Sequence, residues 1–382
     1  MEIFSVIRLL AAGLGLGLGL LVILPGPNVW LFRLSVVATE YGHWVVLVPL
    51  LAVICGRWSG WMGGVTVVMG LIGVGLLLSS AVRAEWRSRS VAEEMTAIFG
   101  ASGVEMKRAP FSWWRMWRGV ERSGVVPEIY RFAERDGEAL RMIFYRSVRR
   151  SPAPCVVVVH GGGWDGGTAT EHGEFCEYLA GLGYGVASVE YRLAPKHVWP
   201  AQRDDVLAAI EDLKARAGEL GIDGGNLVMM GRSAGGQIAE AVAYGSGDKA
   251  IRGCVGFYAP ADMAFAYKYA RKDDLIGSLG LVVRYMGKRP EEDEGHYEGA
   301  SGIRLAVQGS PPTLLIHGGR DSYVWSRQSE RLAGRLSELG VKNYLLELPW
   351  AGHGFDFNPW GPGGQISGYA VERFLAVVTG EG

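Results

Sequence analysis

The hydrophobic positions divide the chain into two parts with different patterns. Up to about residue 83 they form long apolar runs, whereas from about residue 126 they form short runs separated by polar and glycine-rich turns. Apolar runs of about 20 residues are long enough for membrane-spanning helices. Short apolar runs that alternate with helical patterns indicate a mostly parallel sheet with helices on both faces. The sequence therefore predicts a helical membrane region followed by an α/β domain at residues 126–382.

Three apolar runs near the start of the chain predict a bundle of about three transmembrane helices within residues 1–83. They are joined by loops of a few residues and cover about residues 4–25, 34–55 and 61–82. In the first run glycines recur every four residues, a spacing that lets helices approach closely. An alternative for this run is a cleavable signal peptide, but it lacks a small-residue cleavage signal and further apolar runs follow.

The second run has two polar side chains, Glu40 and His43, near its start. A carboxylate within a span is a candidate functional group, and the alternative is a position at the membrane interface. Arginines flank the runs and are more numerous on the side of the α/β domain, so positive-inside counting places that domain in the cytoplasm. The two groups are Arg8 and Arg57 on one side, and Arg33, Arg83, Arg87 and Arg89 on the other.

Residues 84–125 are predicted to form an amphipathic connector. Its centre interleaves three tryptophans with three arginines, at Trp113, Trp114, Trp117, Arg115, Arg118 and Arg122. On a helix such a stretch suits a position on anionic headgroups, with membrane lipids as partners. It equally suits a helix that packs its tryptophans on the α/β domain.

Composition narrows the classes of function. The 382 residues have a formal net charge of −1, which gives no electrostatic reason to expect a nucleic-acid partner. The four cysteines lie far apart, without C-x-x-C pairs or closely spaced histidines, so the sequence predicts neither a metal site nor a disulfide framework. No cofactor is predicted.

A serine between glycines is the main candidate for chemistry in the α/β domain. Ser233 stands in Gly231-Arg-Ser-Ala-Gly-Gly236, after an apolar run at residues 226–230 and before a helical pattern at residues 237–244. Strand, Gly-x-Ser-x-Gly and helix form the nucleophile-elbow pattern, in which a strained turn lifts the hydroxyl to the edge of the sheet. This pattern predicts that Ser233 is a nucleophile.

A second motif, His160-Gly-Gly-Gly-Trp164, follows a strand-like run at residues 155–159. Consecutive glycines leave backbone N–H groups uncovered, and acyl transfer needs such donors where the oxyanion forms. A flexible glycine loop is the alternative. A phosphate cradle would need a Gly-Lys-Ser/Thr ending, which this motif lacks.

These motifs and Glu190-Tyr-Arg-Leu-Ala-Pro195 resemble those of hormone-sensitive-lipase-type esterases in the α/β-hydrolase superfamily. The later stretches His317-Gly-Gly-Arg-Asp321 and Ala351-Gly-His-Gly-Phe355 resemble the acetyl-esterase and feruloyl-esterase-like branch, and the resemblance covers about residues 127–380. It implies an α/β-hydrolase fold and a site made of a nucleophile, an acid, a base and oxyanion-hole N–H donors: Ser233, Asp321, His353, and the donors Gly162, Gly163 and Ala234.

The order Ser, Asp, His along the chain independently fits this assignment. Asp262 is a rival acid, because it also follows a strand-like run after the serine motif. His317 is expected to order the loop before Asp321. The family usually has Asp where Glu190 stands and often an acidic residue where Arg232 stands, so the contacts around the site are expected to differ.

Two further features concern the substrate. Trp164, next to the glycine loop, is predicted to bind substrate and to narrow the acyl pocket, which would favour short groups such as acetyl; the alternative is a residue on the rim. Residues 263–311 contain no clear strand pattern. They are predicted to be an insertion that forms a lid over the pocket.

The sequence thus predicts a membrane-anchored serine carboxylesterase that hydrolyses small, acetyl-type esters, either free or lipid-linked. Three alternatives stay open: a lipase-like or peptide hydrolase, an acyltransferase that shares the acyl-enzyme, and a non-catalytic binding protein on the same fold. The presence of Ser233, Asp321 and His353 argues against the last.

Overall fold

The structure is a computed structural model that describes residues 2–24, 26, 28–56, 58–100, 108–119 and 123–380. Its N-terminal part contains five helices, here called the N-terminal helices: α1 Glu2–Leu21, α2 Val29–Glu40, α3 Gly42–Val45, α4 Leu47–Ile54 and α5 Gly60–Phe99. Helices α1 and α5 pack closely, as shown by Gly73, where an added Cβ would lie 2.9 Å from the backbone of Gly15. Of the recurring glycines of α1, Gly15 and Gly19 therefore serve helix–helix contacts, whereas Gly17 has open space around it.

Among the described residues, two helices are long and apolar enough to cross a membrane, α1 and α5. Helices α2, α3 and α4 form a third candidate only if they count as one span, since the chain bends by 83° between α2 and the pair α3 and α4. The bend lies between Glu40 and Gly42, and a Cβ on Gly42 would come within 2.4 Å of the Leu77 carbonyl oxygen. The run at residues 34–55 is thus not one straight helix, and the count of three spans stays a prediction.

The predicted connector differs from the structure at its start. Helix α5 is 40 residues long and does not end near residue 83 but continues to Phe99, and its last part packs in the core of the α/β domain through Val91, Met95 and Phe99. A short helix follows, α6 Trp113–Arg118. There Trp117 packs edge-on against Trp44 of α3, with ring centroids 4.8 Å apart. Arg57 and Arg122, named in the predictions above, lie outside the described residues.

The α/β domain is built on an eight-stranded sheet with the strand order β1-β2-β4-β3-β5-β6-β7-β8. The first two strands form an antiparallel hairpin around the Asp136-Gly137 turn, and the strands from β3 to β8 are parallel. The strands are β1 Glu128–Arg135, β2 Glu138–Tyr145, β3 Ala153–Val159, β4 Gly185–Val189, β5 Ile222–Arg232, β6 Ile251–Phe257, β7 Thr313–Gly318 and β8 Asn343–Leu348.

Helices cover both faces of this sheet, which explains why its central strands are continuous apolar runs. Along β3, Val157 and Val159 face one core, while Val156 and Val158 face the other. The helices are α7 Gly173–Leu182, α8 Ala201–Ala215, α9 Ala217–Leu220, α10 Ala234–Gly245, α11 Met263–Tyr269, α12 Ser278–Met286, α13 Glu294–Gly299, α14 Gly302–Leu305, α15 Arg327–Glu338 and α16 Pro362–Val378.

The predicted α/β-hydrolase fold is confirmed by this mostly parallel sheet with helices on both faces. The stretch at residues 263–311 is helical: α11, α12, α13 and α14 all lie between β6 and β7. In parallel sheets the loops at the carboxyl ends of the strands carry the site, and the insertion joins that edge.

Candidate active site

Ser233 lies in the sharp turn between β5 and α10. Its φ of 52° and ψ of −122° are a strained conformation for a residue with a side chain. Two glycines make the turn possible. A Cβ on Gly231 would lie 2.1 Å from the Gly235 carbonyl oxygen, and one on Gly235 would lie 2.2 Å from that of His160. The glycines of the motif therefore let strand, helix and glycine loop meet, and the hydroxyl is left at the edge of the sheet.

His353 lies between Ser233 and Asp321. Its Nε2 is 2.9 Å from Ser233 Oγ, and its Nδ1 is 2.6 Å from Asp321 Oδ2. A carboxylate can only accept a hydrogen bond, so Nδ1 bears the proton and Nε2 is left to accept the serine hydroxyl. The structure thus brings together three side chains that are separated by up to 120 residues in the chain.

The side chain of Asp321 is fully buried, near the start of the loop that follows β7. Burial by itself would raise its pKa, but the charge and hydrogen bond of His353, together with those of His317, hold the pKa of Asp321 well below its usual range. The backbone N–H groups of Tyr323 and Val324 also donate to its Oδ1, at 2.8 and 2.9 Å. The carboxylate is therefore ionised at neutral pH and faces the imidazole.

The glycine loop lies against the serine turn. Gly162 and Gly163 have φ values of 111° and 62°, the left-handed region that favours glycine. Both residues and Ala234 line the same cavity as Ser233. Burial lowers the pKa of His160 to about 4, so its ring is neutral, and its Nδ1 lies 2.7 Å from the Gly161 carbonyl oxygen. This histidine orders the loop.

The cavity beside Ser233 has a volume of about 730 Å³. Trp164 forms one wall and is only 5% exposed. Its ring stacks on Tyr285 of α12 with centroids 4.3 Å apart, and its Nε1 donates to Gln237 at 3.0 Å. The insertion supplies much of the remaining lining, mostly with apolar side chains that include Phe265, Tyr269, Ile276 and Leu281.

The rival acid lies elsewhere. Asp262 caps α11 by accepting the N–H of Phe265 at 2.9 Å, and its other oxygen pairs with Arg331 at 2.6 Å. His317, by contrast, lies where it was expected. Its Nε2 is 3.0 Å from the Val324 carbonyl oxygen. It thereby orders the loop that holds the acid.

A buried charged cluster beside the three residues was missed from the sequence. Asp356 accepts hydrogen bonds from Arg232 Nε and Tyr258 Oη, both at 2.5 Å. The Tyr258 ring lies against the His353 ring, with centroids 4.4 Å apart. The signal was the unusual Arg232 inside the serine motif, because a buried arginine requires an acidic partner. That partner stands three residues after His353.

A further contact with the site comes from α2, outside the α/β domain, and its residue Phe32 was missed from the sequence. Phe32 of α2 stacks on Tyr323, with ring centroids 4.2 Å apart. Glu40, at the end of the same helix, is buried and accepts the N–H of Gly363 at 2.9 Å. Gly363 lies in the first turn of α16, where the backbone N–H groups have no partner within the helix and are free to donate to such an acceptor.

Comparison with known proteins assigns the chain to a family. The BD-FAE family model matches residues 142–336, just over half of the chain. Esterase LipC of Mycobacterium tuberculosis is 31% identical over 240 residues, which cover 59% of this chain and 58% of that protein. Probable carboxylic ester hydrolase LipM of the same organism is 28% identical over 244 residues, covering 59% and 54%. The chain therefore spans little more than half the length of these relatives.

Solved structures show the same fold. Esterase LipW from Mycobacterium marinum superposes with a TM-score of 0.57 at 23% identity, covering 78% of this chain and 88% of that one. A bacterial heroin esterase gives a TM-score of 0.59 at 24% identity, covering 77% and 93%. With the family match and the strand order, these similarities lead to one conclusion: the chain belongs to the BD-FAE family and has an α/β-hydrolase fold.

Proposed function

We propose that this protein is a membrane-anchored serine carboxylesterase. The observation that supports this most is His353, within hydrogen-bond distance of both Ser233 and Asp321 and beside a glycine loop. The names of the relatives, esterase and carboxylic ester hydrolase, agree with ester chemistry. The two long apolar helices support the anchor.

The reaction follows from the two hydrogen bonds of His353, with Asp321 at Nδ1 and with Ser233 at Nε2. His353 Nε2 takes the proton of the Ser233 hydroxyl while Oγ attacks the ester carbonyl carbon. The N–H groups of Gly162, Gly163 and Ala234 stabilise the oxyanion, an effect of about 3 kcal/mol for each such donor. The C–O bond to the alcohol then breaks, and the alcohol leaves with the proton from His353. Water, deprotonated by His353, attacks the acyl carbon, the bond between this carbon and Ser233 Oγ breaks, and His353 returns the proton to Oγ as the acid is released. Throughout, Asp321 fixes the imidazole tautomer and stabilises its protonated form.

Small acyl groups are the proposed substrates on the acyl side. Trp164 is held by Tyr285 and Gln237, and we expect this wall to stay in place and to limit the length of the acyl chain. A lipid ester is the second candidate, and the size and apolar lining of the cavity favour it. Both hypotheses use the same three residues, Ser233, Asp321 and His353.

A series of p-nitrophenyl esters from acetyl to palmitoyl tests both proposals on the full chain in detergent. We expect cleavage of acetyl to butyryl esters, poor cleavage of long chains, and no cleavage by Ser233→Ala. A preference for long chains would favour the lipid ester. Activity equal to wild type in Ser233→Ala would overturn the mechanism. Product analysis with a competing alcohol separates hydrolysis from acyl transfer.

A further inference from the structure

Helix α2 presents one face to the α/β domain. Phe32, Val36 and Glu40 follow each other at intervals of four residues, which places them in one row along the helix. Phe32 is 5% exposed and Glu40 is fully buried. On the opposite face, Trp30 is 74% and Leu34 is 42% exposed. The inward row meets the α/β domain at the loops that hold Asp321 and His353.

The first contact is with the loop of the acid. The Phe32 ring stacks on Tyr323, at 28° between the ring planes. The backbone N–H of Tyr323 donates to Asp321 Oδ1 at 2.8 Å, so the stacked residue is also one that holds the carboxylate. On the other side of the acid, the guanidinium of Arg320 donates to the Val22 carbonyl oxygen just after α1. The acid therefore lies between two contacts with the N-terminal helices.

The second contact is with the loop of the base. A Cβ on Gly352, the residue before His353, would lie 3.5 Å from the Phe32 ring, so the ring packs directly on this backbone. Further along the loop, the amide of Asn358 donates to the Glu40 carbonyl oxygen at 2.9 Å. Glu40 also accepts the N–H of Gly363. The base loop is thus held at both ends by α2.

We propose that Phe32 is a positioning residue, through which α2 keeps the acid and base loops in register. The proposal rests on the function proposed above. The same ring touches Tyr323 and Gly352, so it fixes the distance between the Asp321 carboxylate and the His353 imidazole without touching either. Misplacement of a reacting group by about 1 Å costs on the order of 100-fold in rate. The α/β domain therefore depends on the N-terminal helices for its rate as well as for its location.

The test compares three variants of the full chain in detergent: Phe32→Ala, Phe32→Leu and the control Leu34→Ala on the exposed face of the same helix. Hydrolysis of p-nitrophenyl acetate is measured after titrating active sites with a fluorophosphonate, so that unfolded protein does not count. We expect kcat per titrated site to fall on the order of 10- to 100-fold in Phe32→Ala. The fall should be smaller in Phe32→Leu and within twofold of wild type in Leu34→Ala, while KM changes little.

The pH profile supplies a readout that a general loss of stability does not move. A carboxylate held less firmly stabilises the protonated imidazole less, so the acidic limb of kcat/KM should move to lower pH in Phe32→Ala. Unchanged kcat per site and an unchanged acidic limb would overturn the proposal. If Phe32→Ala does not fold, the same two measurements on Phe32→Leu decide. An inactive wild type would overturn the esterase function as well, whereas an active wild type with unaffected variants overturns only the positioning role.

Discussion

The two halves of the site are held in different ways. Ser233 and the glycine loop are fixed by close backbone contacts within the α/β domain, both inside the serine turn, between Gly231 and Gly235, and between that turn and the loop, at Gly235 and His160. Asp321 and His353 stand on loops that rest on α2, and the bonds to this region connect residues about 300 positions apart, such as Arg320 with Val22 and Gly363 with Glu40. One half is held by backbone contacts inside the α/β domain, and the other also rests on a helix that lies outside that domain.

Substitution of the acid, Asp321, should have the largest effect on the site. Asp321→Asn removes the acceptor for Nδ1–H and favours the wrong tautomer of His353, so kcat should fall about 10⁴-fold. Asp262→Asn is the matched control, since Asp262 caps α11 and pairs with Arg331. It should change kcat only a few-fold in the same p-nitrophenyl acetate assay. Equal losses in the two variants would show that the acid has been misassigned.

The buried cluster should have the next largest effect, on stability. Asp356→Asn leaves Arg232 charged, buried and unpaired, which costs about 3–5 kcal/mol. Thermal unfolding in detergent should show the loss. The double variant Arg232→Met with Asp356→Leu removes both charges and should recover much of it. If Asp356→Asn were as stable as wild type, the ion pair of Arg232 and Asp356 would not stabilise the turn that holds Ser233.

The same cluster predicts a pH dependence. Burial raises the pKa of Asp356, but the charges of Arg232 and His172 and the hydrogen bond from Tyr258 lower this pKa overall. The ionised Asp356 carboxylate therefore stabilises the fold fully above the ordinary carboxyl pKa of about 4. This stabilisation is lost as the pH falls through the lower pKa that Asp356 has in the folded protein. Wild type should therefore lose more thermal stability than Asp356→Asn on acidification below about pH 4. Parallel curves would contradict this account.

The serine half is tested by glycine substitutions, with the smallest expected effect. A Cβ on Gly235 would lie 2.2 Å from the His160 carbonyl oxygen and 2.3 Å from that of Val159. Gly235→Ala should thus push the glycine loop away, costing about 1–3 kcal/mol of stability. Gly334→Ala, on α15 with open space around it, should instead gain about 0.5–1 kcal/mol. Chemical unfolding of both variants measures the contrast.

The sequence was informative where structure depends on neighbours in the chain. The elbow around Ser233, the hairpin at Asp136-Gly137 and the alternation along the sheet all follow from residues close in sequence. The candidate acid could be chosen over Asp262 only by the resemblance of its surrounding motif. Its geometry required the fold, because no local pattern determines which strand end faces the base.

The N-terminal helices were harder to predict for a physical reason. Phe32 lies just before the predicted run at residues 34–55, and hydropathy does not distinguish an apolar side chain that faces lipid from one that faces protein, so nothing in the sequence singled it out. The buried ends of α2 and α5 dock on the α/β domain through contacts that have no signature in the sequence. Asp356 was missed for a related reason, since its partner Arg232 lies 124 residues away.

Labelling of the full chain with a fluorophosphonate, followed by peptide mass spectrometry, tests the central claim most directly. The account predicts one adduct, on the peptide that contains Ser233, with labelling abolished in Ser233→Ala and strongly slowed in His353→Ala. An adduct on another residue, or labelling that proceeds equally fast without the imidazole, would contradict it.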